Sequence, residues 1–286
     1  MNGVFDLLAY ILKTFEVGNS PQTFLVLFGL CFARIVSYCA FVPFLGGKAV
    51  PGKVKIAVAM ALTVIAFPQL AAEVAQTGGE LKFGPLGFFF LMLKECFIGF
   101  TLSYISTAVF EGIQIAGRFI DVQRGASMAE VMAPELNEKV SELGQFKFQL
   151  SLVLFILAGL HREFIKVLVE SFQAIPATRL PEVHGGFTPS LELLINVSAE
   201  TLYIGVQLAL PIVLALLLTD IFFGIINKVA PQINVFFLAM PVKMMLGLFV
   251  FSLSIMLLTE QYSHYFMKSL NSLKFMVEYF GQNKAF

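Results

Sequence analysis

Glu111-Gly-Ile-Gln-Ile-Ala-Gly117-Arg118-Phe-Ile-Asp121-Val-Gln123-Arg124-Gly125-Ala-Ser127-Met128 is a polar, glycine-punctuated stretch lying between two apolar ones. It concentrates charge, amide and hydroxyl groups in a chain that is 58% hydrophobic, with a mean hydropathy of +0.83. Bare backbone and ionisable groups are tolerated at membrane depth only where they are buried in protein or line a watery path. The stretch is therefore either a long exposed loop or a constriction inside a conduit. That choice decides how the rest of the chain is read.

The apolar content, 32 Phe and a charged fraction of 13%, against about 25% in soluble domains, place the chain among integral membrane proteins. Trp is absent, so an aromatic belt has to rest on Tyr203, Tyr262, Tyr265 and Phe. Net charge is zero, which argues for neither a nucleic-acid partner nor a basic, anionic-lipid-seeking surface. Cys31, Cys39 and Cys96 fall inside apolar segments with no metal or redox spacing and read as small buried hydrophobes. The first fifteen residues lack a basic start and a small-residue cleavage site and do not read as a signal peptide.

Six apolar blocks follow: 24–45, 54–72, 86–110, 148–160, 191–226 and 233–259. A spanning helix needs roughly 20 apolar residues. The first, third and sixth blocks meet that; the fourth is too short, and the fifth carries Pro211, which predicts a kink or two shorter helices. Short, interrupted apolar helices predict faces that pack against protein rather than lipid. The expected fold is all-α and membrane-embedded, with six to eight helices in interrupted hairpins. The chain reads as one domain over 1–286, with 262–286 an amphipathic tail and residues 4–15 a second amphipathic flank. Basic residues decorate too many joints to give an orientation, and there is no internal repeat of the kind inverted-repeat transporters carry.

Charges inside the apolar blocks demand partners. Arg34, Lys94, Glu95, Asp220 and Lys243 all sit within them. Each charge at the centre of a lipid-facing helix costs about 2.5–3.5 kcal/mol, so these side chains must face protein or a conduit. The ion pairs Arg34 with Glu95 and Asp220 with Lys243 would fix helix register. A substrate or proton pathway is the alternative. Lys94 and Glu95, adjacent on a helix, are expected to need different partners. Catalytic readings lack parts: His161, His184 and His264 have no ligand spacing, and no Walker A, GxSxG or GxGxxG run exists. Glu111 and Asp121 could form a carboxylate pair, but no nucleophile or metal set accompanies them.

Ala230-Pro231-Gln232-Ile233-Asn234-Val235-Phe236-Phe237, continuing through Pro241, Lys243 and Gly247, resembles the signature of the export-gate T subunits of type III secretion systems and their flagellar counterpart, FliR. The run Gly117 to Met128 resembles the family's central loop, and its Gln-Arg-Gly form is closer to the injectisome branch than to the flagellar one. Arg34, the 51–55 turn and Glu95-x-x-Ile-Gly99 fall in the same order as in the family.

The resemblance implies a non-enzymatic, cofactor-free subunit of a protein-conducting channel in the bacterial inner membrane. There it would join R and S subunits in a helical gate inside the secretion basal body, with unfolded secreted proteins passing through. It assigns Gly117, Asp121, Gln123, Arg124, Gly125, Ser127 and Met128 to a plug, and Arg34, Glu95, Pro231, Gln232, Asn234 and Lys243 to the family pattern, to which Asp220 is added as a buried polar residue on its charge alone. The residues suit such a role: Gly112, Gly117 and Gly125 permit close or left-handed backbone, the polar side chains can bond loop to wall, and Ile115, Phe119, Ile120, Met128 and Met132 supply yielding apolar bulk. A cytoplasmic loop with a helix-capping Asp121 is the plainer alternative. Pro231 near a helix start is architectural, with Gln232 and Asn234 expected to bond backbone at the junction. A small-solute transporter and a scaffold without a conduit are the readings from other classes.

Overall fold

The computed structural model describes residues 21–47, 50–76, 85–125, 141–178 and 187–281. Within them are seven α-helices and no strand: α1 (Pro21–Phe41), α2 (Gly52–Gln76), α3 (Pro85–Arg124), α4 (Glu142–Leu157), α5 (Leu160–Ala174), α6 (Phe187–Val229) and α7 (Val235–Gly281). A short 3₁₀ turn, Pro43–Leu45, follows α1. Ser127, Met128, Met132 and the flank at 4–15 lie outside the described residues.

Local chemistry sets the boundaries. Pro21 and Pro85 open α1 and α3 at positions where a missing N–H costs nothing. Ser141 caps α4, its Oγ accepting from Gly144 N at 3.0 Å. Gly125 (φ +84°) ends α3, and Gly159 (φ +72°) breaks the chain between α4 and α5. Among the described residues, four helices are long and apolar enough to cross a membrane: 24–41 in α1, 86–124 in α3, 189–229 in α6 and 235–281 in α7.

Three expectations are corrected. Residues 111–124 are no loop: they complete a 40-residue helix. Their buried positions are 112, 113, 116, 117, 120, 121 and 124, a stripe with helical spacing. Of the two alternatives at Pro211, a kink or two shorter helices, the second does not hold: the fifth block is one 43-residue helix that runs through Pro211, where packing of Leu208, Ala209, Ile212 and Leu216 outweighs one lost backbone bond. Over residues 262–281 the expected tail is no separate flank but the end of α7.

The chain divides into two compact units. The first comprises Met1–Thr107, His161–Ile195 and Ser269–Phe286. Its core holds Leu27, Ile35 and Tyr38 of α1, Phe67 of α2, Leu102 and Ile105 of α3, Phe164 and Phe172 of α5 and Leu273 of α7. A Cβ on Gly99 would collide with Ser37 Oγ and the Arg34 carbonyl, so α1 and α3 cross there at backbone distance. The second comprises Ala108–Leu160 and Asn196–Lys268. Phe110 is ringed by Phe148, Phe155 and Phe266 at centroid distances of 6.2, 5.2 and 5.0 Å. Glycines again mark the crossings: a Cβ on Gly112 would meet Thr201 O at 2.9 Å, and one on Gly117 would collide with Gly144 Cα.

Candidate functional site

Because 111–124 is helical, its polar residues take fixed directions. Asp121 and Arg124, one turn apart, are both buried and form an ion pair. Asp121 also accepts from Ser141 Oγ and, at 3.0 Å, from Leu143 N. One carboxylate thus joins the C-terminal end of α3 to the N-terminus of α4, where a negative charge is favoured, while Arg124 sits at a C-terminus, where a positive one is. Arg124 Nε is buried without a partner.

The neighbouring side chain, Gln123, reaches the other way. Its Nε2 donates to Asp220 Oδ2 of α6 at 2.9 Å, and Asp220 Oδ1 is paired with Lys243 of α7. The turn between α6 and α7 is Ala230-Pro231-Gln232-Ile233-Asn234, closed by Ile233 N donating to Ala230 O at 3.1 Å. Val122, Gln123, Arg124 and Gly125 therefore share one open cleft, of about 770 Å³, with Asp220, Asn227, Pro231, Gln232, Asn234 and Lys243. Phe223, Ala239 and Met240 supply its apolar lining. The two segments singled out in the sequence, more than a hundred residues apart, form one site. Gln232 and Asn234 are exposed on its rim; backbone bonds within the turn do the closing expected of their side chains.

Gly117 belongs to the support rather than the cleft, through its contact with Gly144. Glu111 is exposed whereas Asp121 is buried, and Asp121 is committed to Arg124, Ser141 and Leu143, so the carboxylate pair does not form.

Arg34 and Glu95 are brought together in the first unit. Arg34 donates from Nε and Nη2 to the two Glu95 oxygens at 2.5 and 3.0 Å, from Nη1 to Ser171 Oγ at 3.1 Å and from Nη2 to Ile175 O at 2.8 Å. Its guanidinium stacks 4.1 Å from the Phe172 ring centre. Lys94 joins the same carboxylate at 2.7 Å, correcting the expectation of separate partners, and donates to the carbonyls of Pro176 and Ala177 at 2.9 and 3.2 Å. Two cations face one carboxylate; carbonyls at the end of α5 take up the remaining donors.

Residues missed in the sequence are Ser141, Leu143, Asn227 and Lys147; Gly247 is legible as part of the signature but not as a neighbour of Arg124. Ser141 carried a legible signal as an N-cap ahead of Glu142. Lys147 is fully buried, 3.4 Å from Leu208 O and 5.7 Å from the Phe251 ring centre. Burial pushes its amine down to about 8, against an opposing pull from Asp121.

The family model described as "Bacterial export proteins, family 1" matches residues 25–269. The flagellar biosynthetic protein FliR of Aquifex aeolicus is 27% identical over 264 residues, 91% of this chain and 97% of the relative. The surface presentation of antigens protein SpaR of Shigella flexneri is 27% identical over 235 residues, 81% and 86% of the two chains. The secretion system apparatus protein SsaT of Salmonella typhimurium is 26% identical over 240 residues, 83% and 90%.

Proposed function

Since the chain belongs to the bacterial export proteins, family 1, we propose that it is a gate subunit of a type III protein-export apparatus, with its cleft among the closing parts. Its relatives carry flagellar and secretion-apparatus names at nearly equal identity, and the reading covers both settings. It is a conducting part rather than a catalytic one. It works in the inner membrane of the basal body, beside R and S subunits, on unfolded proteins in transit.

The observation that carries this is the meeting of Gln123 and Arg124 with the Pro231–Asn234 turn across the Asp220–Lys243 pair. A lipid-facing Asp220 would be costly, and its carboxylate is 39% exposed. Water or polar protein must reach that face, as a conduit wall requires. The need for partners has separate support. α6 and α7 leave Leu202, Val206, Leu218, Phe249, Met256 and Leu257 exposed. Less than a quarter of each of their apolar windows is buried by the chain's own residues. Hydrocarbon and neighbouring helices must cover the rest.

Co-expression with R and S homologues, followed by conductance of the reconstituted complex, tests the reading. Asp220→Ala removes the acceptor shared by Gln123 and Lys243. The expected outcome is an assembled complex that leaks small ions. A complex that assembles without R and S, or an assembled Asp220→Ala complex as tight as wild type, would contradict it.

A further inference from the structure

We propose that Gly247 of α7 is a positioning residue for Arg124, a notch that holds the arginine stem in place over Asp121; the inference rests on the gate reading above. A Cβ built on Gly247 would stand 2.6 Å from Arg124 Cδ and 3.0 Å from Arg124 Cγ, with Leu216 Cδ2 next at an ordinary 3.7 Å. The arginine stem therefore crosses α7 where that helix has no side chain. An exposed arginine would swing aside from an added methyl at little cost. This one cannot. Its guanidinium is pinned by the Asp121 ion pair, both side chains are nearly sealed from solvent, and Asp121 is itself held by Ser141 and Leu143 N. Moving the stem drags the head off its carboxylate.

Gly247 differs in kind from the glycines at the helix crossings. Gly117 and Gly112 would meet backbone atoms, which cannot yield, and serve the packing of helices. What Gly247 would meet belongs, at short range, to one side chain only. Gly224, a cleft residue on α6 with nothing within 4 Å of its built Cβ, is the natural control. Glycine inside a helix is intrinsically unfavourable relative to alanine. Gly224→Ala should therefore raise thermal stability slightly, and Gly247→Ala should do the same wherever Arg124 is absent.

The test is a double-mutant cycle on the complex co-assembled with R and S homologues, read by melting temperature and by ion leak after reconstitution. Gly247→Ala should lower the melting temperature by a few degrees in the wild-type background and raise it in the Arg124→Ala background, where the colliding Cγ and Cδ are gone. In leak, Gly247→Ala alone should reproduce much of the Arg124→Ala increase, about fivefold or more, and add nothing to it in the double variant. A melting-temperature change of the same sign in both backgrounds, or an additive leak, overturns the proposal. If Gly247→Ala fails to assemble, recovery in the double variant supports it, and failure of the double variant while Arg124→Ala assembles overturns it. If the sign reversal holds but Arg124→Ala does not leak, the positioning stands and the gate reading falls.

Discussion

Two charge clusters divide the labour in this molecule. Around Arg34, Glu95 and Lys94 everything is sealed: both side chains of the Arg34–Glu95 pair are 0% exposed, and a serine, backbone carbonyls and an aromatic face take up the remaining donors. At the cleft, Asp121 and Arg124 are buried, but the next pair out, Asp220 with Lys243, is 39% and 17% exposed. The first cluster ties α1 and α3 to α5 and to the carbonyls that follow it. The second grades from dry to wet, which lets its outer bonds exchange with water at modest cost. The dry cluster resists rearrangement, and the wet one yields more readily.

Breaking the dry cluster should have the largest effect. Glu95→Ala strands two cations, a loss of about 3–5 kcal/mol, and should abolish recovery of assembled complex; normal yield would mean the cluster is not what fixes the fold. Gly117→Leu comes next, because its side chain must displace the α4 backbone at Gly144. A cost of about 1–3 kcal/mol or more should appear as a lower melting temperature, and an unchanged one would refute the close crossing. For the same reason, shortening residues 117–125 is a poor probe of gating: it would dismantle a helix crossing.

Lys243→Met sharpens the contrast. A fully buried pair broken this way would lose about 3–5 kcal/mol, but water reaches Asp220, and Gln123 still donates to it. The expected loss is about 1 kcal/mol, seen as a small drop in melting temperature with secretion altered more than assembly. A loss as large as that of Glu95→Ala would erase the distinction between the clusters.

The smallest effect is a pH dependence from Lys147. Its folded pKa is lowered from 10.5 to about 8, so between those values the unfolded chain holds the proton that the folded chain has released. Stability contributed by this group therefore rises as pH goes from about 8 toward 10.5. Lys147→Met should flatten that rise in a melting-temperature series and should not destabilise the protein at neutral pH. A rise unchanged in the variant would assign it to another group.

Desolvation cost made both ion pairs legible in the sequence. Charges inside apolar blocks must be compensated, and Arg34–Glu95 and Asp220–Lys243 are the pairs found. The helical nature of 111–124 was present as period but obscured by composition, since glycine, arginine and glutamine suggest a loop when their spacing is ignored. Pro211 misled in the opposite sense, because a proline's local cost is small beside the burial of four apolar neighbours. Nothing in the sequence announced that Gln123 would meet Asp220, or that Arg124 would cross Gly247. Those contacts depend on where three helix ends converge, which no local pattern encodes.

Conductance of the assembled gate carrying Arg124→Ala tests the central claim most directly. Asp121 keeps two of its donors in that variant, Ser141 Oγ and Leu143 N, so the complex should still assemble, with a lowered melting temperature because a buried carboxylate has lost its cation. Removing buried bonds worth about 1–3 kcal/mol should shift the closed-to-open balance about tenfold per 1.4 kcal/mol. A clear ionic leak through the assembled complex is the expected result. Normal assembly with wild-type tightness would contradict it and leave the cleft a structural joint.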